Sequence, residues 1–168
     1  MIIVSKSSVF LIGMMGAGKS TVGRCLAKTL KYKFIDTDQL IELQEKRTIE
    51  SIFKENGESY FRNIERDIIS QFDNKKCVYS TGGGFPIFNR NIDKLKDIGQ
   101  VVYLKTSSME LLNNRIKNNS SRPMFQDATS FEKLLKQRES IYCEADFVVK
   151  TDYKTPEKIA SEISLLIE

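Results

Sequence analysis

The stretch Gly13–Ser20, with the sequence GMMGAGKS, restricts the fold of this chain more than any other. Apolar, β-prone residues 9–12 precede it, and Val22, Leu26 and Leu30 recur after it at helical spacing. Glycines between a strand and a helix let successive backbone N–H groups point inward, and the helix N-terminus adds positive potential. The stretch fits a phosphate-binding loop and predicts that the chain binds a nucleoside triphosphate. A glycine-rich turn with a chance lysine is the alternative.

Two side chains of this loop have expected roles. We expect Lys19 to reach the β- and γ-phosphates of a nucleotide and the Ser20 hydroxyl to ligate Mg²⁺. The loop does not say whether a phosphoryl group is transferred, or to which acceptor.

Length and composition narrow the class of protein. The chain has 168 residues, of which 40% are hydrophobic and 29% charged, and this predicts one globular domain. The net charge of +4 is modest, and no basic block or interleaved aromatic run indicates a nucleic-acid partner. No apolar run approaches transmembrane length, so we expect no membrane partner.

The cysteines predict the compartment. Cys25, Cys77 and Cys143 are dispersed, and the chain has no histidine. This pattern argues against a structural zinc site and against Ser-His or Cys-His catalysis. It predicts a reduced, cytoplasmic protein in which all three thiols are buried.

Apolar strands alternate with helical segments along the chain, which predicts a parallel sheet covered on both faces. Strands are predicted at 9–12, 33–35, 77–79, 101–104 and 147–149. Helices are predicted after the phosphate loop, through 45, from Thr48 to a stop at 56–57, and at 58–72, 92–98, 107 onward, 131–145 and 156 onward. Ligands bind outside the carboxyl ends of such strands. The first three strands end in the phosphate loop, in Asp36-Thr37-Asp38 and in Gly82-Gly83-Gly84.

Asp36 and Asp38 alternate on a segment that we predict to be extended, so both carboxylates can face one site if Thr37 points away. One would then lie near Mg²⁺, and the other would accept hydrogen bonds from a substrate hydroxyl. A turn followed by a helix cap is the alternative. For Gly82–Gly84 the sequence leaves two interpretations open, which are close approach of a ligand to the backbone and a plain loop.

Four arginines complete the candidate site. Arg62 and Arg138 lie on or beside apolar helix stripes, where a guanidinium needs a carboxylate partner. That partner is either a protein group such as Glu65, which spacing alone favours, or a ligand carboxylate held bidentately. Arg115 and Arg122 flank a polar segment that we predict to be a mobile loop. An arginine delivered by a closing loop can neutralise a transferring phosphoryl group, whereas solvated loop charge is the alternative.

Several motifs in this order and spacing resemble the shikimate kinase family over nearly the whole chain. They are GMMGAGKS at 13–20, DTD at 36–38, GESYFRNIE at 57–65, GGG at 82–84, RP at 122–123 and the stretch Arg138–Asp146. The resemblance implies a three-layer α/β/α fold like that of nucleoside-monophosphate kinases, with a five-stranded parallel sheet. It further implies a single monomeric domain over 1–168, a substrate-binding helical segment at about 38–72 and a mobile lid at about 116–128.

The same resemblance implies transfer of the γ-phosphoryl group of ATP to the 3-hydroxyl of shikimate, with Mg²⁺, on the route to chorismate and the aromatic amino acids. Lys19, Asp38 and Arg122 would be catalytic. The implied nucleotide contacts are Gly13, Gly16, Ala17, Gly18, Lys19, Ser20, Thr21, Arg115, Arg122 and Pro156. The implied shikimate contacts are Asp38, Arg62, Glu65, Gly82, Gly83, Gly84 and Arg138. Ser20 and Asp36 would hold the metal, Asp36 through water.

Two other functions remain open at this point. One is a kinase for another small acid such as gluconate, and the other is a nucleotide-binding module without catalysis. Met124 and Phe125 follow the Arg-Pro pair where the family usually has two leucines, which concerns the packing of the lid.

Overall fold

The structure is a computed structural model that describes residues 7–73, 75–110 and 128–167. Its sheet has five strands in the order β2-β3-β1-β4-β5, and each neighbouring pair is parallel. The strands are β1 (Val9–Ile12), β2 (Lys33–Asp36), β3 (Cys77–Ser80), β4 (Gln100–Lys105) and β5 (Phe147–Lys150). The predicted parallel sheet is confirmed, and its central strands are apolar runs because both faces are covered.

Seven helical segments connect or flank these strands in the described part of the chain. They are α1 (Lys19–Leu30), α2 (Thr37–Glu45), α3 (Ile49–Ile68), α4 (Asn91–Ile98), α5 (Ser108–Glu110), α6 (Ala128–Tyr142) and α7 (Pro156–Ile167). Short 3₁₀ turns at Ile69–Gln71 and Phe88–Arg90 follow α3 and precede α4.

The two faces of the sheet pack against different helices. On one face, a β-carbon built on Gly23 of α1 would lie 2.6 Å from the Phe34 ring, and α7 packs beside α1. On the other face, Phe10 stacks on Tyr79 with ring centroids 4.7 Å apart, and Tyr103 contacts Tyr142 of α6 at 5.0 Å. These contacts give the predicted three layers of helix, sheet and helix.

The start of α2 corrects one prediction. Asp38 does not continue an extended segment, because β2 ends at Asp36 and α2 begins at Thr37. The Asp36 carboxylate accepts hydrogen bonds from the backbone N–H groups of Asp38, at 3.1 Å, and Gln39, at 3.4 Å. These bonds satisfy backbone N–H donors of the first helical turn. The helix therefore starts at Thr37, two residues earlier than it would if residues 36–38 were extended.

Helix α3 joins two segments that the sequence predicts to be separate. Thr48 caps its start by accepting a hydrogen bond from the Ser51 N–H, as expected. Gly57 then adopts φ 78° and ψ 176°, which breaks the helical backbone at the predicted stop, and helical geometry resumes directly. Gly57 therefore kinks α3, and the half that follows it carries the buried Arg62 and Glu65.

The predicted burial of the cysteines is wrong in part. Cys77 is buried in β3, Cys25 is half-buried, and Cys143 is exposed just after the end of α6. Cys143 follows the last residue of α6, where the chain turns at the surface. The general tendency of free cysteines to be buried therefore gave the wrong prediction at this position. Within residues 7–73, 75–110 and 128–167, no helix combines the length and apolar character that crossing a bilayer requires.

Candidate active site

The phosphate loop has the backbone that the motif predicts. Gly13, Gly16 and Gly18 have φ values of 141°, 80° and 83°, a region that side chains with a β-carbon rarely adopt. Gly13 is restricted further, since an added β-carbon would lie 2.8 Å from the Leu104 carbonyl oxygen. Ala17, within the loop, is buried, and Thr21 is exposed in the first turn of α1. The loop is thus a preformed concave turn over a helix N-terminus.

Lys19 lies across this loop. Its Nζ donates hydrogen bonds to the carbonyl oxygens of Gly13, at 2.9 Å, and Met14, at 2.8 Å, and the side chain is buried. The ammonium group is therefore held against the start of the loop by two backbone carbonyl oxygens.

Ser20 and Asp36 lie together at the adjacent strand end. The Ser20 hydroxyl donates to Asp36 Oδ2 over 2.6 Å, and Ser80 Oγ lies 3.1 Å from Ser20 Oγ. The Ser20 hydroxyl and the Asp36 carboxylate are hard oxygen donors of the kind Mg²⁺ prefers, and Mg²⁺ sites commonly use few protein ligands together with substrate phosphates. The residues present fit a magnesium ion, and Asp36 serves both as helix cap and as partner of Ser20.

Gly82, Gly83 and Gly84 are needed for close approach rather than for unusual backbone angles, because none of the three has a positive φ. A β-carbon on Gly82 would lie 2.8 Å from Asp38 Oδ1, and one on Gly84 would lie 2.7 Å from Arg62 Nη1. The Gly82 N–H also donates to the hydroxyl of the buried Thr37 at 3.3 Å. Protein side chains thus approach this backbone closely, and approach of a ligand to it stays a prediction.

Gly83 is the point where the phosphate loop and a buried arginine meet. A β-carbon there would lie 3.3 Å from the Met15 amide nitrogen and 3.4 Å from Arg138 Nη1. The Gly83 carbonyl accepts a hydrogen bond from the Tyr142 hydroxyl at 2.7 Å. Burial raises the pKa of Tyr142 to about 12, so this hydroxyl stays a donor at neutral pH.

Arg62 is held by two carboxylates. Its Nε and Nη2 donate to Glu58 Oε1 at 3.1 and 2.8 Å, and its Nη1 donates to Glu65 Oε2 at 2.7 Å. A guanidinium has five N–H donors, so these three bonds leave one N–H on each terminal nitrogen. Structural ion pairing, which the spacing favours, is therefore confirmed for Arg62, and a two-pronged donor remains.

Glu65 is a buried carboxylate surrounded by charges. Burial raises the pKa of Glu65 to about 7, against the opposing effect of the Arg62 guanidinium, and the nearby Asp38 carboxylate adds to the rise. Its Oε1 has no hydrogen-bond partner among the described residues. Glu65 therefore changes its charge near neutral pH while it contacts Arg62.

Arg138 differs from Arg62 in its partners. The side chain is 5% exposed, and Nη1 finds no hydrogen-bond acceptor among the residues that the structure describes. A buried cationic N–H without an acceptor costs free energy unless a ligand supplies the acceptor. Arg138 thus favours the second interpretation of the sequence, in which a ligand carboxylate is the partner.

The remaining predicted residues lie at two places. Pro156 is the first residue of α7, half-buried, and follows β5 at the same edge of the sheet as the phosphate loop. Arg115, Arg122 and nearly all of the predicted lid at 116–128 lie outside the described residues.

Several residues of the site carry no role in the sequence prediction. Glu58 and Tyr142 fall inside the quoted motifs, and their spacing of four from Arg62 and Arg138 is the signal that could have identified them. Thr37 and Ser80 contact the site from the start of α2 and the end of β3. Amino-acid propensities do not predict where those two elements begin and end. None of these four contacts follows from composition.

Comparison with known proteins agrees with this geometry. The family model described as shikimate kinase matches residues 15–168. The chain is 40% identical over 158 residues to the shikimate kinase of Persephonella marina, covering 93% of this chain and 96% of that protein. It is 45% identical over 152 residues to the shikimate kinase of Clostridium botulinum strain Langeland, covering 88% and 89%.

Solved structures give the same result. Shikimate kinase from Acinetobacter baumannii in complex with shikimate matches with a TM-score of 0.89 and 37% identity, covering 96% of this chain and 92% of that chain. A gluconokinase from Sinorhizobium meliloti matches with a TM-score of 0.60 at 19% identity, which shows a shared fold alone. On its sequence, its fold and the contacts of its phosphate loop and triple glycine, the chain belongs to the shikimate kinase family.

Proposed function

We propose that this chain transfers the γ-phosphoryl group of ATP to the 3-hydroxyl of shikimate, giving shikimate 3-phosphate and ADP in aromatic amino acid biosynthesis. One observation carries the proposal: at Gly83 the phosphate loop lies beside the buried Arg138. Nη1 of this arginine has no hydrogen-bond acceptor among the residues that the structure describes. A triphosphate and a carboxylated acceptor would bind as neighbours there. The relative from A. baumannii, solved with shikimate, supports this choice of acceptor.

The acceptor's carboxylate would bind the arginines. The two N–H groups of Arg62 that Glu58 and Glu65 leave open match the two oxygens of a carboxylate, and Arg138 Nη1 supplies a further donor. Glu65 would steady Arg62, and the backbone of Gly82–Gly84 would line the ring.

Asp38 would bind ring hydroxyls and orient the one that attacks the phosphoryl group. It lies beside Gly82 and Glu65, so a hydroxylated ring resting on the triple glycine would meet its carboxylate. In a loose, charge-spread transition state, such positioning and electrostatic stabilisation do most of the work.

The nucleotide would bind the loop amides of Gly13–Ser20 and the first turn of α1 with Thr21, while Lys19 moves from the Gly13 and Met14 carbonyls to the β- and γ-phosphates. Ser20 would ligate Mg²⁺, and Asp36 would contact it through water. A bound magnesium ion neutralises charge on the phosphate oxygens.

The remaining roles follow the same proposal. Residues 38–72 would form the acceptor-binding segment within one domain over 1–168, and 116–128 would form a lid that excludes water. Arg122 would reach the transferring phosphoryl group, and Arg115 and Pro156 would flank the adenine. The three free thiols are consistent with the proposed cytoplasmic location. We further propose a monomer without nucleic-acid or membrane partners, which size-exclusion chromatography with light scattering would test.

The direct test is ADP release from ATP and Mg²⁺ with shikimate, compared with gluconate and other hydroxy acids. We expect ADP release with shikimate and with none of the other acids, and no ADP release in Lys19→Ala. Turnover with gluconate and not with shikimate would show that the acceptor is gluconate. Tight ATP binding without acceptor-dependent ADP release would indicate a nucleotide-binding module.

Arginine variants test the acceptor site. Arg62→Ala and Arg138→Ala should each raise the shikimate KM on the order of tenfold or more, since charge-assisted bonds contribute about 1.5–3 kcal/mol. Arg66→Ala is the matched control, because Arg66 lies four residues after Arg62 on α3, is exposed and pairs with Asp67. An unchanged shikimate KM in both site variants would refute their assigned roles.

A further inference from the structure

The ring of Phe88 lies under the guanidinium of Arg62, with Arg62 Cζ 4.0 Å from the ring centroid. Phe88 is half-buried, yet among the described residues it is not part of the hydrophobic core or packed against it, unlike Phe85 and Ile87 in the same turn. Its contact with Arg62 therefore does not follow from the demands of core packing. A cation over an aromatic face at this distance is attracted by the ring quadrupole.

The backbone on either side of Phe88 is built to hold this ring in place. The Phe88 N–H donates to the Gly84 carbonyl at 3.2 Å, which fixes the Phe88 backbone to the glycine that lies against Arg62. The next two residues, Asn89 and Arg90, both have left-handed backbones with φ values of 54° and 51°. Such a pair of non-glycine residues persists only where surrounding contacts hold it.

Arg90 supplies those contacts. Its guanidinium donates to both carboxylate oxygens of Asp93, at 2.9 and 3.0 Å, and to both of Glu144, at 2.8 and 3.0 Å. Glu144 lies two residues after Tyr142, directly beyond the end of α6. The turn that carries Phe88 is therefore tied to the helix that carries Arg138.

The Arg62 guanidinium is restrained from different directions. Glu58 and Glu65 hold it by its edge, the Phe88 ring contacts its face at 4.0 Å, and the Phe61 ring lies farther away, at 5.2 Å. Edge contacts alone allow the plane to tilt about the line between the two carboxylates. A ring against the face removes that freedom, which matters only if the plane must meet a planar ligand.

We infer that Phe88 is a positioning residue for acceptor binding, because its ring fixes the plane of the Arg62 guanidinium so that the two open N–H groups meet a substrate carboxylate together. The inference rests on the proposed function. Phe88 itself touches neither substrate in this scheme and acts through Arg62.

The kinetic test compares Phe88→Leu and Phe88→Tyr with the wild type, in which shikimate-dependent turnover is established first. We expect Phe88→Leu to raise the shikimate KM about threefold to tenfold, with kcat and the ATP KM within about twofold, and Phe88→Tyr to restore the wild-type value because it keeps the ring. Phe34→Leu is the matched control. Phe34 is also half-buried under a guanidinium, that of Arg24 at 4.8 Å, on the opposite face of the sheet.

An NMR measurement tests the contact without activity. The Arg62 Nε–H, assigned with Arg62→Lys, should be shifted upfield in the wild type and should move downfield in folded Phe88→Leu, which loses the nearer ring and keeps that of Phe61. The absence of this shift overturns the inference, as does an unchanged shikimate KM in folded Phe88→Leu, or Phe88→Leu and Phe34→Leu acting alike. A wild type inactive on shikimate refutes the proposed function, whereas the ring shift reports on the Phe88–Arg62 contact independently.

Discussion

The Tyr142 hydroxyl donates a hydrogen bond to the Gly83 carbonyl oxygen over 2.7 Å. This bond joins the end of α6, which also carries Arg138, to the turn after β3 that lies against the phosphate loop. One buried contact therefore sets how far the arginine lies from the place where phosphates bind.

Removing this bond should loosen both the fold and the acceptor site. Tyr142→Phe leaves the Gly83 carbonyl without its donor, and we expect a loss of about 1–2 kcal/mol in unfolding free energy together with a severalfold higher shikimate KM. Urea denaturation and steady-state kinetics measure the two effects. Tyr103→Phe is the control, because the Tyr103 ring packs against Tyr142 but its hydroxyl donates to no described residue. Equal losses in the two variants would contradict the role of the bond.

A methyl group on Gly84 should displace Arg62. The added β-carbon would lie 2.7 to 2.9 Å from Nη1, Nη2 and Cζ of a guanidinium that two carboxylates hold. We expect Gly84→Ala to raise the shikimate KM on the order of tenfold or more, about 1.4 kcal/mol, while the ATP KM stays within about twofold. Calorimetric titration with shikimate measures the same loss as affinity. Wild-type affinity in Gly84→Ala would show that Arg62 has room to move.

The charge of Glu65 should make stability depend on pH. Its pKa is about 7 in the folded protein against an ordinary 4.5, so the folded state binds the proton more tightly than the unfolded state. The resulting stabilisation is complete below pH 4.5 and is lost as the pH rises through 7. A shift of this size corresponds to roughly 3 kcal/mol.

Glu65→Gln removes this titration, so the difference in unfolding free energy between wild type and variant should move in favour of the variant from pH 5 to pH 8. Chemical denaturation at both pH values measures it. A difference that does not change with pH would mean that Glu65 keeps one charge throughout.

Magnesium dependence should respond to Ser20. The Ser20 hydroxyl pairs with Asp36, and its loss removes the proposed protein ligand. Ser20→Ala should raise the Mg²⁺ concentration for half-maximal activity at fixed ATP by at least about tenfold. Ser80→Ala is the control, since Ser80 lies 3.1 Å from Ser20 Oγ and is not a proposed ligand. If both variants respond alike, Ser20 has no special part in holding the metal.

The sequence predicts the sheet and the phosphate loop well because both depend on local patterns. An apolar run followed by glycines and a helix at residues 9–30 leaves little choice of backbone. The end of β2 was predicted less well, because residues 36–38 can either continue the strand or begin a helix that Asp36 caps. The helix forms because the Asp36 carboxylate accepts two short-range hydrogen bonds. Propensity does not settle such a competition between neighbours.

The acceptor site was predicted less completely. Spacing indicates that Arg62 and Arg138 need partners, but both arginines present the same kind of pattern. Only the three-dimensional arrangement distinguishes them: Arg62 has two protein carboxylates, and Arg138 Nη1 has no described acceptor. Phe88 gives no periodic signal, because its ring is placed by two left-handed residues that follow it.

Strands β2 and β3 are neighbours in the sheet, paired from Lys33 with Cys77 to Asp36 with Ser80. Because the two strands are parallel, the chain leaves the sheet after Asp36 at the carboxyl edge and rejoins it at Cys77, on the opposite edge of the neighbouring strand. That excursion carries Asp38, Arg62 and Glu65, whereas Gly82–Gly84 and Arg138 of the proposed acceptor site come later in the chain. Exchanging residues 37–76 with a kinase of the same fold would therefore keep the triphosphate loop after β1 but renew only part of the acceptor cleft, so protein engineers would have to redesign the triple glycine and α6 as well.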